Sequence, residues 1–265
     1  MRPSSPEKAA AKTVSSVVRQ HNSMQKRIAV TAESTRCSTC MLNSLCLPVG
    51  MSNNDIARMD ELVKERIRLS KGQALFALSE PSEAVYGVRF GTLKTQLEDA
   101  SGQVQITGFV LPGEVVGLDS LVNDTHVSHA IALEDSEVCV IRVSDLDSLS
   151  HHLPILHQQF RRLMSREINR SHQMVMTLGA LRSEQRLAAF LLNLSQRMSA
   201  LGYSSHEFIL RMSREEIGNY LGLTLETVSR LFSRFAREGL LRIQQREVQL
   251  LDFQALRILS GSDCG

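Results

Sequence analysis

The chain has 265 residues, of which 43% are hydrophobic and 22% charged, and its formal net charge is +2. This length predicts about two domains, and this composition excludes both a wholly disordered chain and a core too small to fold without disulfides. No apolar run approaches the roughly 18 residues that cross a bilayer, and the first residues contain no apolar leader, so we expect a cytoplasmic protein with reduced cysteines and no membrane partner.

The N-terminal part combines a polar tail with a cluster of cysteines. Residues 1–35 are rich in Ser, Ala, Lys and Arg and have too few apolar residues to define a core face, which predicts a flexible tail. Cys37, Cys40 and Cys46 follow the tail and make up three of the five cysteines. Apolar residues at helical spacing then predict a short helix over residues 54–65.

The next stretch, residues 66–143, has the pattern of a β-domain. Short apolar or alternating runs are separated by turn residues such as Gly, Pro, Asn and Asp. Short strands repeated at a spacing of roughly 8–12 residues are typical of a sandwich, jelly roll or barrel. The predicted strands cover residues 75–78, 85–90, 93–97, 104–110, 130–133 and 138–143.

A single long helix is predicted over residues 154–180, with Pro154 in its first turn. Residues at alternating steps of four and three form one stripe along it, as in the seam of a two-helix coiled coil. The stripe favours a homodimer, although a helix buried within one chain has a similar pattern. Its members are His157, Arg161, Met164, Ile168, Ser171, Val175 and Leu178.

The C-terminal part has the pattern of a winged helix-turn-helix. Ser213 and Glu216 form a capping box at the start of one short helix, and Gly222 after that helix permits a sharp turn into the next. The predicted elements are helices over residues 184–200, 214–221 and 225–238 and two wing strands over residues 240–243 and 248–251.

The last of these helices exposes side chains suited to reading DNA. Glu226, Ser229 and Arg230 lie on one face of its N-terminal half, the part that enters the major groove in such motifs. Arg230 can donate two hydrogen bonds to guanine, and Glu226 can accept one from an exocyclic amine, although a plain ion pair on a solvated face has the same spacing. The arginines that suit phosphates better are Arg234, Arg237, Arg242 and Arg246.

The charge distribution also indicates nucleic-acid binding by the C-terminal part. Residues 160–265 contain 15 arginines and 10 acidic residues, a net charge of +5, whereas residues 1–159 have a net charge of −3. A basic module of this kind is expected to bind an anion, most simply double-stranded DNA, although a charged surface that contacts only solvent gives a similar count of basic and acidic residues.

Four cysteines have the spacing of a metal centre. Cys37, Cys40 and Cys46 lie on one short loop, and Cys139 lies on a predicted strand. Thiolates are ligands for both zinc and iron–sulfur clusters, and zinc sites more often use two pairs of closely spaced ligands. Spacing alone therefore leaves a cluster, a zinc ion and free thiols open. Cys264, next to the C-terminal residue, is interpreted as a bystander.

In its cysteine spacing and its helix-turn-helix residues, the chain resembles the oxygen-sensing FNR branch of the CRP/FNR transcription regulators. The resemblance extends from about Cys37 to the C-terminus. The four cysteines match the family's cluster ligands in order and spacing. Residues 218–230 match its DNA-reading segment, with Glu226, Ser229 and Arg230 at the base-contacting places. The resemblance implies a [4Fe-4S] cluster that permits dimerisation without oxygen and breaks down to [2Fe-2S] with oxygen, and a TTGAT-like inverted repeat as the DNA target.

The resemblance also implies a domain plan and a protein partner. The fold class is α+β, with an N-terminal cyclic-nucleotide-binding-like β-roll, a long dimerisation helix and a C-terminal winged helix-turn-helix. Glu98, Gly102 and Gln103 lie in a loop that matches a region the family uses to touch RNA polymerase, although a plain solvated hairpin fits the residues equally well. The predicted domains are the tail (1–35), the cysteine loop with the β-roll (36–152), the dimerisation helix (153–182) and the DNA-binding domain (183–265).

The chain departs from the family pattern in its nucleotide cassette and on the dimer seam. The stretch where an arginine would bind a cyclic phosphate, residues 126–130, contains no arginine, so we expect no cyclic nucleotide. Ser171 stands where well-known members have Asp, and Arg161 where an apolar side chain is expected. The oligomeric state of the cluster-free form is therefore open.

Two other classes of protein fit parts of the pattern. One is a CRP-like regulator gated by a small molecule in the β-roll, with zinc or redox-active thiols at the cysteines. The other is an enzyme with a DNA-binding tail, but the sequence has no Gly-rich phosphate loop, no nucleophile elbow and no paired carboxylates beyond ordinary surface spacing. We therefore expect a regulator and not an enzyme.

Overall fold

The structure, a computed structural model, describes residues 26–29, 36–42, 46–48 and 50–261. These residues divide into two compact units, one extending to Gly102 and resuming over Phe109–Ile155, the other built from Gln103–Gly108 and the residues from Leu156 onward. The helices are α1 (Asn53–Met59), α2 (Val143–Ser150), α3 (Pro154–Ala180), α4 (Ser183–Ala200), α5 (Arg214–Leu221), α6 (Leu225–Arg237) and α7 (Phe253–Ser260). The strands are β1 (Lys26–Ala29), β2 (Val63–Leu69), β3 (Ala74–Phe76), β4 (Ala84–Phe90), β5 (Leu93–Glu98), β6 (Val104–Val110), β7 (Val115–Val116), β8 (His129–Ala132), β9 (Ser136–Arg142), β10 (Glu207–Ile209), β11 (Leu241–Gln244) and β12 (Glu247–Leu250).

The first unit is built around two sheets. Strands β1, β2, β9, β4 and β7 form a five-stranded sheet in that order, and β3, β8, β5 and β6 form a four-stranded sheet. The core is made of buried side chains from both sheets. Burial of each large aliphatic or aromatic side chain stabilises the fold by roughly 1.5–3 kcal/mol. Its members include Ile67, Leu69, Leu75, Phe76, Val88, Leu93, Ala130, Val138 and Val140.

Side-chain alternation gives the five-stranded sheet two different faces. Ile67, Val138 and Val88 are paired across β2, β9 and β4, and all three lie in the core. One residue along each strand, Arg66 is paired with Cys139, and these side chains point to the opposite face. The sheet thus covers the core with one face and positions Cys139 on the other.

The predicted strands are confirmed to within two residues at each end, but the predicted helix over residues 54–65 is wrong in its second half. The helix ends at Met59, and Val63–Leu69 forms strand β2. Pairing with β9 explains the difference, because it buries Ile67 and Leu69 at alternate positions and outweighs the local helical spacing.

Part of the predicted tail also has defined backbone structure. Residues 26–29 form β1, which pairs with β2 in an antiparallel ladder. The rest of the predicted tail, residues 1–25 and 30–35, lies outside the described residues.

The second unit contains nearly all of α3 together with α4–α7 and a small sheet. The long helix spans the predicted residues 154–180. The sheet has the order β10-β12-β11, and the antiparallel pair β11 and β12 forms the predicted wing. The predicted α+β architecture with a β-roll, a long helix and a winged helix-turn-helix is confirmed. Within the described residues, no helix is long and apolar enough to span a membrane.

Candidate functional site

A cavity in the first unit, the cysteine cavity, brings together four of the five cysteines. Cys37 begins a 3-10 turn, Cys40 and Cys46 follow on the same loop, and Cys139 lies on β9. All four side chains are partly buried. The rest of the lining is apolar except for three arginines, and it comprises Leu42, Leu47, Pro48, Met59, Leu62, Val63, Gly87, Val88, Ile141, Arg36, Arg66 and Arg89.

Hydrogen bonds fix the start of the cysteine loop to the end of α1. The Ser38 N–H donates to Asp60 Oδ1 at 3.0 Å, and the Ser38 hydroxyl donates to Asp60 Oδ2 at 2.7 Å. The Cys40 N–H donates to the Cys37 carbonyl at 3.3 Å. These bonds hold the first two thiols on a defined turn.

Burial and mutual proximity favour the protonated form of these thiols. Burial raises the pKa of Cys37, and the neighbouring Cys46 and Cys139 raise it further. Burial raises the pKa of Cys46 to about 12. Burial also raises the pKa of Cys139, although the adjacent Arg66 partly opposes this. Thiolates this close together repel one another, so a group that binds them all has to supply positive charge.

The four cysteines offer the donor set of a thiolate-bound metal centre. Thiolates are ligands for both zinc and iron–sulfur clusters. Among the described residues, no three His, Cys, Asp or Glu side chains are arranged to bind one metal ion. A [4Fe-4S] cluster takes four thiolates, one for each iron. Four soft donors around one cavity therefore fit an iron–sulfur cluster.

Gly87 leaves room in the wall of the cysteine cavity. It is paired with Cys139 across β4 and β9, and a β-carbon at Gly87 would lie 3.6 Å from Cys46 Sγ, an ordinary contact distance. A methyl group fits at this position, but a longer side chain has to displace Cys46 or Ile141, both of which line the cavity.

On the hypothesis that the cysteines bind an iron–sulfur cluster, we expect Gly87→Leu to abolish cluster incorporation and Gly87→Ala to retain it. The leucine side chain would crowd Cys46, whereas the alanine methyl group only reaches contact distance from it. Iron and sulfide content per chain after anaerobic reconstitution measures the effect, with circular dichroism as the control for folding. Equal iron content in two folded variants would contradict the assignment of the cavity.

Local hydrogen bonds and one ring contact position the helix-turn-helix. Ser213 Oγ accepts from the Glu216 N–H at 3.1 Å, and Glu216 Oε2 accepts from the Ser213 N–H at 2.8 Å, so the predicted capping box is confirmed. The guanidinium carbon of Arg214 lies 3.4 Å from the ring centroid of Phe232, which joins α5 to α6.

Helix α6 buries one face and exposes the other. Glu226, Ser229 and Arg230 are all exposed, on the side predicted to read DNA. The pKa of Glu226 is lowered by hydrogen bonds from its own backbone N–H and from Thr224, and by the charge of Arg230, so its carboxylate is an ionised acceptor. The buried face consists of Val228, Leu231, Phe232 and Phe235.

One of the arginines predicted to contact phosphates is engaged within the chain. Arg234 forms ion pairs with Glu184 and with Glu238, the latter at 2.7 Å between Arg234 Nε and Glu238 Oε1. Two carboxylates thus balance its charge, which makes it a weaker phosphate ligand than the sequence predicts. Arg237 is exposed at the C-terminal end of α6.

The predicted dimer stripe on α3 is largely exposed in the single chain. Ile168 is 53% exposed and Val175 is 70% exposed. Aliphatic side chains exposed in one stripe commonly mark an interface. Among the other predicted interface residues, the exposed ones are Arg161 and Ser171 and the half-buried ones are Met164 and Leu178.

The predicted polymerase loop connects β5 to β6. Glu98 ends β5, and the Gly102 N–H donates to the Asp99 carbonyl at 3.0 Å to close a turn. Gly102 and Gln103 are exposed at this turn. The loop is therefore accessible in the single chain.

Comparison with known proteins places both domains in one family. A cyclic nucleotide-binding domain model matches residues 66–152, and a Crp-like helix-turn-helix domain model matches residues 185–259. The transcriptional activator protein anr of Pseudomonas aeruginosa is 46% identical over 85% of this chain and 92% of its own length. The chain belongs to the CRP/FNR family of transcription regulators. It is therefore a DNA-binding regulator, as its helix-turn-helix indicates.

Other relatives of this CRP/FNR regulator extend over most of the chain. The transcriptional regulatory protein btr of Bordetella pertussis is 67% identical over 91% of this chain and 99% of its own length. The anaerobic regulatory protein of Pasteurella multocida is 43% identical over 85% of this chain and 83% of its own. The solved structure of FixK2 from Bradyrhizobium japonicum superposes with a TM-score of 0.68, at 30% identity over 73% of this chain and 96% of that one.

Some lining residues of the cysteine cavity were not predicted. The position of Arg66 beside Cys139 can be predicted only after residues 63–69 are recognised as a strand, because the pairing of the two residues then follows from register. Gly87 and Arg89 have no such signal in the sequence, since their place depends on how β4 pairs with β9.

Proposed function

We propose that this CRP/FNR regulator is an oxygen-responsive, anaerobic transcription factor. Cys37, Cys40, Cys46 and Cys139 bind a [4Fe-4S] cluster, and the cluster-loaded chain forms a homodimer that binds a TTGAT-like inverted repeat in the cytoplasm. The observation that carries the proposal is the convergence of three thiols from a loop and one from β9 on a single cavity. Two relatives, the anaerobic regulatory protein of Pasteurella multocida and the transcriptional activator protein anr of Pseudomonas aeruginosa, support it.

The sequence connects the cysteine cavity to the dimer helix by a short path. β9, which carries Cys139, is followed directly by α2 and then by α3. When bound, the cluster supplies an air-sensitive link between the cysteine loop and β9. A change in how well β9 and α2 are ordered affects the conformation at the start of α3. A few kcal/mol of difference in dimer stability is enough to convert a chain from mostly monomer to mostly dimer.

Dimerisation allows the exposed faces of two α6 helices to bind the two halves of an inverted repeat. Two recognition helices about 34 Å apart, one turn of DNA, each read one half-site. In each half-site Arg230 donates to guanine, Glu226 accepts from an exocyclic amine, and Ser229 approaches a neighbouring base edge. A single chain makes half of these contacts and binds weakly.

We expect Val175→Glu to convert the iron-loaded dimer to monomer and Gln173→Glu to leave it dimeric. Both residues are exposed on α3 and lie two positions apart, but Val175 is on the predicted seam and Gln173 faces away from it. A glutamate on the seam places two like charges opposite each other across the symmetry axis. Anaerobic analytical ultracentrifugation measures the effect, and equal dimer fractions in the two variants would place the interface elsewhere.

The polymerase contact remains part of the proposal. Glu98, Gly102 and Gln103 lie at a β-turn whose tip is exposed, as an interaction site requires. The resemblance to the FNR branch supplies RNA polymerase as its partner.

Cyclic nucleotide is not proposed as a ligand. His126 occupies the stretch where an arginine is expected, and its ring stacks on Phe76 with 3.5 Å between centroids. Asp119 Oδ1 lies 3.2 Å from His126 Nδ1 and adds a negative charge there. A buried ring pair next to a carboxylate is a poor receptor for a phosphate.

Anaerobic purification tests the proposed function. We expect brown protein with about four iron and four sulfide per chain, a dimer, and affinity for the inverted repeat that falls when air is admitted. A colourless zinc protein that binds the same DNA equally well in air would instead support the regulator gated by a small molecule.

A further inference from the structure

A buried carboxylate next to the cysteine cavity pairs with three arginines. Glu137 Oε1 lies 3.0 Å from Arg66 Nη1 and 3.0 Å from Arg89 Nη1, and Glu137 Oε2 lies 2.9 Å from Arg68 Nε. The side chain of Glu137 is 2% exposed. One anion is thus outnumbered by three cations, which leaves an excess of positive charge.

Two of these arginines, Arg66 and Arg89, line the cysteine cavity, so the excess positive charge lies next to the thiols. Arg66 is the more buried of the two. Its side chain is 8% exposed, whereas that of Arg89 is 37% exposed. Arg66 is also directly opposite Cys139 in the register of β2 and β9.

Among the residues that the structure describes, one nitrogen of the Arg66 guanidinium, Nε, is left without a hydrogen bond. Its Nη1 donates to Glu137, but its Nε is fully buried and makes no hydrogen bond within the described part of the chain. A buried guanidinium N–H without an acceptor is destabilising, so a partner for it is expected. Cys139, which is paired with Arg66 in the register of β2 and β9 and lines the same cavity, offers a sulfur acceptor there.

We propose that Arg66 is a positioning residue for the cluster, donating from Nε to a sulfur beside Cys139 and offsetting the negative charge of four thiolates. This inference rests on the proposed function. Hydrogen bonds to the sulfurs and nearby charges set how easily an iron–sulfur centre is oxidised or reduced. Glu137 orients the guanidinium, so Arg66 acts on the cluster and Glu137 acts through Arg66.

Arg68 provides a matched control. It pairs with the same carboxylate, but its side chain is 60% exposed and it is not part of the cavity lining. Arg66→Gln and Arg68→Gln therefore remove the same charge from the same ion-pair network, and only the first removes a donor from the cavity. Arg66→Lys keeps the charge and loses the planar N–H donor.

The test compares these three variants with the unmodified chain after anaerobic reconstitution. The readouts are iron content, the midpoint potential of the cluster and the rate at which visible absorbance is lost in air. We expect a more negative potential and about tenfold faster loss in Arg66→Gln, the size of one charge-assisted hydrogen bond. Arg68→Gln should stay within about twofold of the unmodified chain, and Arg66→Lys should fall between the two.

Equal potentials and decay rates in Arg66→Gln and Arg68→Gln would overturn the inference while leaving the proposed function intact. If the unmodified chain binds no iron, the proposed function itself fails. Thermal unfolding of the cluster-free variants controls for misfolding. If Arg66→Gln does not fold, Arg66→Lys decides the question, because an unchanged potential in that variant would also overturn the inference.

Discussion

Replacing Cys139 with Ala is expected to abolish both iron binding and tight binding to the inverted repeat. Cys139 is the one predicted ligand that comes from β9, so the variant keeps the cysteine loop but loses its link to the strand that leads towards α3. Iron content should fall from about four per chain to almost none, and affinity for the operator should fall at least about a hundredfold, since a monomer forfeits the contacts of one half-site. Anaerobic iron assays and fluorescence anisotropy with operator DNA measure the two losses.

Cys264→Ser is the control for this experiment. Cys264 lies next to the C-terminus, outside the described residues, and the sequence gives it no place among the ligands. We expect the variant to bind iron and DNA as the unmodified chain does. A Cys139→Ala protein that dimerises without oxygen and binds its operator at unchanged affinity would remove the cluster from the mechanism.

Local signals explain why the C-terminal half of the fold was predictable. The capping box of Ser213 and Glu216, the glycine at the end of α5 and the buried stripe of α6 are each determined by residues within a few positions of one another. The long helix α3 begins at a proline and carries one repeating stripe over its length. In contrast, β2 depends on pairing with β9, about 70 residues away in the chain, and the predicted helix over residues 54–65 wrongly included its first three residues.

The four cysteines that line the cysteine cavity could be singled out from the sequence, but the residues around them could not. The three clustered cysteines and Cys139 are unusual enough in spacing to indicate a metal centre, since thiolates select a small group of metals. The buried Arg66, the pairing of Glu137 with three arginines and the room left at Gly87 all depend on strand register. Register joins residues that are distant in the sequence, and a single sequence carries no direct record of it.

Replacing Arg230 with Ala is expected to weaken binding at one base pair of each half-site. Arg230 is exposed on the N-terminal half of α6, where a guanidinium can donate two hydrogen bonds to guanine. The loss should be about 1–3 kcal/mol for the correct base and small for the other three, so discrimination at that position is lost. Affinity for operators with each base substituted in turn, measured at fixed salt concentration, gives the pattern directly.

Arg237→Ala separates base reading from general attraction to DNA. Arg237 is exposed at the C-terminal end of the same helix, beyond the part that enters the groove, and its loss removes the same charge from the same surface. We expect a uniform loss of affinity for all operators and a decrease of about 1 in the salt slope, with iron content and dimerisation unchanged. If Arg230→Ala shows this uniform pattern as well, Arg230 contacts phosphate, and the reading of sequence has to be assigned to Glu226 and Ser229.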